Sequence, residues 1–112
     1  MSVRKRLGSL DLDRLVHEKS RLMVLTYLSS SSSPSASFTE LRDALAMSAG
    51  NLSIQLKTLE EAGYVSIEKS FKANKPNTSV CLSLEGRKAL DHYLAEIETI
   101  LATARGSRKE AP

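Results

Sequence analysis

Apolar residues recur at helical spacing near the start of the chain, through Leu12, Leu15, Val16, Leu22, Leu25 and Leu28, and predict a helix over 11–28. Asp11 or Asp13 is placed to cap its first turn, and His17, Glu18, Lys19 and Arg21 fill its polar side. Residues 29–37, SSSSSPSAS, offer little to bury, and Pro34 blocks a helix, so a flexible connector is expected. A second, short helix follows with Leu41 and Leu45 four apart and Phe38 as a hydrophobic staple. Either Thr39, or Ser37 paired with Glu40 in an S-x-x-E box, can start it. Ser48 then caps a third helix, AGNLSIQLKTLEEA, for which Gly63 is the left-handed stop.

Past Gly63 the period drops from about 3.6 to 2. Val65 and Ile67 share one side of residues 64–68, Val80 and Leu82 share one side of 79–83, and KSFKANKPNT between them reads as the extended tip of a hairpin. Helical spacing returns from Leu84 to Ala104 with Ser83 as cap. The expectation is a mainly α domain with a small β-hairpin (α+β) over 11–104. Residues 1–10 form a flexible basic arm before it, and 105–112 a frayed tail after it.

Composition narrows the class. A length of 112 residues suits one domain, and the single cysteine, Cys81, cannot form an internal disulfide. The N-terminal stretch MSVRKRLGSLDLDR is basic without an apolar segment, and no apolar run approaches the roughly 18 residues of a membrane span. A cytoplasmic protein with no membrane contact is expected. The net charge of +3 is too small to name a partner by itself. Its location is more telling: the excess sits in Arg4, Lys5 and Arg6 of the arm, in the hairpin and in the tail, and the helical body carries none of it.

The third helix resolves into two faces at 100° per residue. Leu52, Leu56 and Leu59 form the buried stripe, while Gly50, Asn51, Ser53, Ile54, Lys57, Thr58 and Glu61 face away. The first two turns of that outer face carry no acid. Small residues there permit close approach to a duplex, Asn51 can pair with adenine, Lys57 can reach guanine or phosphate, and Ile54 can meet a thymine methyl or pack on a neighbour. Glu60 and Glu61 are expected at the far end, away from phosphate. Lys69, Lys72 and Lys75, with Asn74 and Asn77, fill residues 69–79 without one Asp or Glu. A basic hairpin following two short helices can lie along a phosphate backbone.

The run NLSIQLKTLEEAGYVSIEKSFKANKPNTSVCLSLEGRKAL resembles winged-helix transcriptional regulators of the MarR and ArsR neighbourhood, above all in LKTLEEAGYV and LSLEGR. Ser83 stands where that pattern often has threonine, and Leu84 where it often has proline. The resemblance implies a winged helix-turn-helix with the helix-turn-helix over 38–62, a recognition helix over 48–62, a wing over 64–83 and a C-terminal dimerisation helix over 84–104. On that footing Gly50, Asn51, Ser53, Ile54 and Lys57 contact bases, and Ser48, Thr58, Lys69, Lys72, Lys75 and Asn77 contact phosphates. The expected activity is sequence-specific binding of double-stranded DNA at an inverted repeat by a homodimer. Repression is the expected sign, because a chain this short leaves no domain to recruit polymerase.

Leu90, Leu94, Ile97, Leu101 and Ala104 step by four, three, four and three, with Tyr93 and Ile100 flanking, as in a coiled-coil seam. At about 1.5 Å per residue this helix spans roughly 30 Å, more than a small core needs. Asp91 and His92 lack partners at metal-ligand spacing, so no metal or cofactor is expected. No nucleophile and base stand at predictable spacing, and the glycines are scattered, so no enzyme is expected. A small-molecule effector would fit between the first and last helices, although no distinctive polar group marks a pocket there. A winged-helix module that binds protein instead of DNA is the alternative, supported by the modest charge and by Ile54.

Overall fold

A computed structural model describes residues 7–110, with side chains through Gly106; Arg4, Lys5 and Arg6 of the expected arm lie outside the described residues. The chain runs α1 (Lys19–Ser30), β1 (Ser35–Ser37), α2 (Phe38–Ala44), α3 (Ala49–Glu61), β2 (Val65–Lys72), β3 (Lys75–Leu82) and α4 (Leu84–Glu110). The strands form an antiparallel sheet in the order β1-β3-β2, so the fold is α+β with a three-stranded sheet.

The first helix begins later than its apolar spacing predicts. Asp13 Oδ1 accepts the N–H groups of Leu15 and Val16 at 2.8 and 3.3 Å, holding a local turn instead of a helix start. Glu18 is the N-cap of α1, with its carboxylate accepting from Ser20 and Arg21 N–H at 3.1 and 2.9 Å. Desolvation pulls that carboxyl upward, yet the two backbone N–H groups and the Arg21 guanidinium outweigh it and hold its pKa below the usual 4.5. Leu12 and Val16 still pack inward from the turn, which is why the apolar pattern runs on without a break.

The serine stretch is not wholly a flexible connector. Ser29 and Ser30 complete α1, and Ser35–Ser37 pair with β3, Ala36 lying opposite Val80. The Pro34 carbonyl accepts the Leu82 N–H at 2.8 Å, so the residue that bars a helix supplies a sheet bond. Ser37 is the cap of α2, accepting from Glu40 N–H at 3.0 Å. Glu40 does not complete the box, since its carboxylate accepts the Tyr27 hydroxyl at 2.6 Å. Ser48 caps α3 through Asn51 N–H at 3.1 Å, and Gly63 follows that helix at φ 81°.

The hairpin differs most from its expected shape. Its strands pair without a break from Val65↔Leu82 to Lys72↔Lys75, and the tip shrinks to Ala73 and Asn74, both with positive φ. Two left-handed residues in a two-residue loop match the right-handed twist of the strands. The last helix also runs past Ala104 into the expected tail, reaching Glu110.

Leu25, Leu28, Leu41, Leu52, Leu59, Val80 and Leu90 are all buried in one core, joined by Val65, Leu82 and Tyr93. Each such side chain contributes about 1.5–3 kcal/mol on leaving water. Polar clasps tie the segment before α1 to the rest. Tyr64 Oη donates to Asp13 Oδ2 at 2.5 Å, His17 Nδ1 and Tyr93 Oη share a hydrogen bond at 2.6 Å, and Asp11 N–H reaches Glu96 Oε2 at 3.0 Å. The hydrogen bond to Asp13, then partial burial and the nearby carboxylate charges, push the Tyr64 phenol from 10.0 up to about 12. The fold favours the protonated phenol, so this stabilisation is complete below about pH 10 and is lost as pH rises through about 12. Phenolate absorbance of wild type and Tyr64→Phe should therefore differ only by a step near pH 12; a difference near pH 10 would mean the clasp is open in solution.

Candidate nucleic-acid interface

The third helix buries the stripe its sequence predicts: Leu52, Leu56 and Leu59 are buried, while Gly50, Asn51, Ser53, Ile54 and Lys57 face outward. Ile54 is 64% exposed, so it does not pack on a neighbouring element of the protomer. The turn before α3 places Ala46 at φ 53°.

A groove of about 760 Å³ separates α3 from the hairpin, lined by Phe38, Ser53, Leu56, Lys57, Glu60, Ile67, Lys69 and Thr78. Lys57 on the helix and Lys69 on β2 stand on its two walls. Strand alternation explains the choice of lysine: Val65, Ile67, Lys69 and Phe71 share the face that meets α3, opposite Leu82, Val80, Thr78 and Pro76. Lys69, Phe71 and Pro76 leave the protein body and stay in water, with Phe71 76% exposed at the end of the row.

The expected phosphate-contact residues divide accordingly. Lys72 and Lys75 lie directly opposite each other beside the turn, on the strand positions that alternate with Lys69. Asn77 follows on that second face and donates to Ser79 Oγ at 3.3 Å. The structure thus does not gather the hairpin lysines into one patch; it puts one in the groove and two at the tip. Like charges in direct cross-strand register oppose pairing, so the tip holds two cations together at some cost.

Two hydroxyls in the expected phosphate set differ in what they can offer. Thr58 donates its proton to the Ile54 carbonyl at 3.1 Å and has none left for a phosphate oxygen. Ser48 only accepts in its cap bond, so its hydroxyl proton remains available at the helix N-terminus. Glu60 stands at the far end of α3, as its sequence position implies, and lines the groove one turn beyond Lys57, placing an acid beside the helical cation.

The seam expected on the last helix also divides. Leu90 is 1% and Tyr93 4% exposed, so both close the protomer's own core and are not available to a second chain. Ile97 packs partly on that core. Leu94 and Leu101 are 40% and 43% exposed, and their seven-residue spacing puts them on one edge of α4 within about 20°. Ile100 is half-buried, on the Tyr93 side of the helix and away from the edge that carries Leu94 and Leu101. Sequence spacing finds every apolar position, but does not separate the arc that faces inward from the edge that does not.

Cys81 is partly exposed, with its thiol near the Leu82 carbonyl. Among the described residues, no helix is long and apolar enough to cross a membrane.

Comparison with known proteins agrees with this geometry. The winged helix DNA-binding domain family matches residues 20–101. An uncharacterized protein of Methanocaldococcus jannaschii is 37% identical over 60 residues, covering 54% of this chain and 65% of that protein. A transcriptional regulator homologue from Pyrococcus horikoshii superposes with a TM-score of 0.72 at 21% identity, over 87% of this chain and 91% of that one. A MarR family regulator from Streptomyces coelicolor, solved in complex with DNA, gives 0.67 at 20% identity over 82% of this chain and 61% of its own. At such identities the two structures show a shared fold. With the family match spanning α1 through most of α4, this chain belongs to the winged helix DNA-binding domain family.

Proposed function

We propose that this chain is a homodimeric transcriptional repressor that reads an inverted repeat in double-stranded DNA. The observation that carries the reading is the groove between α3 and the hairpin, with Lys57 on one wall and Lys69 on the other. A phosphate strand passing along the Lys69 wall of that groove would let α3, with Lys57, occupy the adjacent major groove. Asn51, Ser53 and Lys57 then face base edges, Gly50 permits close approach, and Ile54 offers an apolar surface to a thymine methyl. Ser48 would donate to a phosphate at the start of α3, and Lys72 and Lys75 would hold a more distant stretch of backbone.

The shape of the protomer supports a dimer. Its radius of gyration is 17.3 Å and its long axis 65 Å. A compact chain of this length would have a radius near 13 Å. The 27 residues of α4 span about 40 Å, and Leu94 and Leu101 sit half-uncovered along it. A two-fold axis near that edge would present two copies of α3 to one face of a duplex. A bound dimer can repress by occupying promoter DNA, which needs no second domain.

Fluorescence anisotropy with duplex DNA at several salt concentrations tests the interface. Lys69→Ala should weaken binding to every sequence alike and lower the salt slope by about one. Lys57→Ala should cost about 1–3 kcal/mol and relax preference at one base pair. Two variants that bind like wild type at every salt concentration would show that the groove does not hold DNA.

A further inference from the structure

A chain of hydrogen bonds joins α1 to Asn51 on the outer face of α3. Arg21 Nη1 donates to Gln55 Oε1 at 2.7 Å, and Gln55 Nε2 donates to Asn51 Oδ1 at 3.1 Å. Arg21 is itself held: its Nε donates to the Leu15 carbonyl at 2.7 Å, Glu18 Oε2 lies 3.8 Å from Nη1, and the side chain is only 17% exposed. Leu15 belongs to the turn that Asp13 closes, so the anchor is part of the clasped segment before α1.

The polarity of this relay follows from donor chemistry. A guanidinium has N–H donors and no acceptor. Gln55 must therefore turn its oxygen to Arg21 and its NH2 group toward Asn51. Asn51 in turn must offer its oxygen to Gln55, which leaves its own NH2 group on the exposed face of α3. We infer that Arg21 and Gln55 are positioning residues that fix Asn51 as a hydrogen-bond donor, so that it selects a keto-bearing base edge, guanine above all, over adenine.

The inference rests on the DNA-binding reading above and alters one part of it. Pairing with adenine needs an oxygen to accept from N6 and an NH2 group to donate to N7. The relay takes one of the two lone pairs of the Asn51 oxygen and holds that oxygen toward Gln55. The outward part of the amide is then its NH2 group, and adenine's amino group would meet a second donor. Guanine presents O6 and N7, both acceptors, and thymine presents O4, so these edges suit the outward NH2 group.

Selection of bound duplexes from a random pool, using the full chain, tests this. At the base pair whose preference Asn51→Ala abolishes, wild type should favour guanine over adenine by about tenfold. Arg21→Lys keeps a donor-only head and should keep that preference. Gln55→Glu has only acceptors, so Asn51 must turn its NH2 group inward and its oxygen outward, and the preference should reverse toward adenine. Thermal melting confirms that each variant folds; should Gln55→Glu not fold, Gln55→Leu releases the Asn51 amide, and the discrimination should disappear. A wild-type preference for adenine, or a guanine preference that survives Gln55→Glu and Gln55→Leu, overturns the relay. Sequence-specific binding that Asn51→Ala leaves unchanged overturns it too, with the DNA-binding reading intact. Absence of any DNA binding overturns that reading and the base preference together.

Discussion

Gly86→Ala is expected to destabilise the protein by at least about 3 kcal/mol, more than an ordinary added methyl group. A Cβ at this position would lie 2.1 Å from the Tyr64 carbonyl oxygen and 2.9 Å from both the Tyr64 carbonyl carbon and Leu82 Cδ1. The backbone atoms cannot swing aside as a flexible side chain would. The Tyr64 carbonyl accepts the Ser83 N–H at 3.1 Å, and Ser83 Oγ both donates to the Gly63 carbonyl at 2.6 Å and accepts the Gly86 N–H at 2.9 Å. One serine thus joins the stop of α3 to the start of α4, and glycine is what lets the two backbones meet. Relief of the clash would have to move α4 off the body, exposing Leu90 and Tyr93. Urea denaturation measures the effect, with Gly50→Ala as the control, since nothing lies within 4 Å of a Cβ there. The control should be neutral or slightly stabilising in a helix. A Gly86→Ala protein within about 1 kcal/mol of wild type would mean that α4 does not dock on Tyr64 this closely.

Leu94→Arg with Leu101→Arg should convert the proposed dimer to a folded monomer and weaken operator binding by about 10²–10⁴-fold, the scale of a lost second attachment. Both side chains are well exposed in the protomer, at 40% and 43%, so charge there should leave the core intact. The same change at Leu90 or Tyr93 would unfold the chain instead, since each is buried within it. Light scattering gives the mass, circular dichroism the fold, and anisotropy the affinity. A doubly substituted chain that remains dimeric would place the interface elsewhere. A monomer that binds its operator as tightly as wild type would remove the two-fold reading.

Elements with a single strong period are readable in the sequence. The stripe Leu52, Leu56 and Leu59, the Ser48 cap and the Gly63 stop lie where spacing and capping chemistry put them. Sequence and structure part where two local options compete. Asp13 and Glu18 can each cap a helix, and the choice depends on Asp13 also accepting the Tyr64 hydroxyl, a partner far away in sequence. Ser35–Ser37 carry no strand signal of their own and become a strand because β3 offers them a free edge. The hairpin tip reads as long because Lys, Asn and Pro suit loops, yet Ala73 and Asn74 alone make the turn. In the interface, the alternation of side chains along β2 and β3 is a signal that separates Lys69 from Lys72 and Lys75. The Arg21–Gln55–Asn51 relay carries no such signal, because nothing in the spacing of α1 and α3 says that these side chains meet.

Titration of the purified chain against fragmented genomic DNA of its source, at two salt concentrations and with the bound fraction sequenced, tests whether α3 and the hairpin bind duplex DNA. Recovery of a shared inverted repeat with half-sites about one helical turn apart, bound more weakly as salt rises, is the predicted result. Binding that is absent at low salt, or that salt does not affect, would contradict the account and point to a protein partner for the same face.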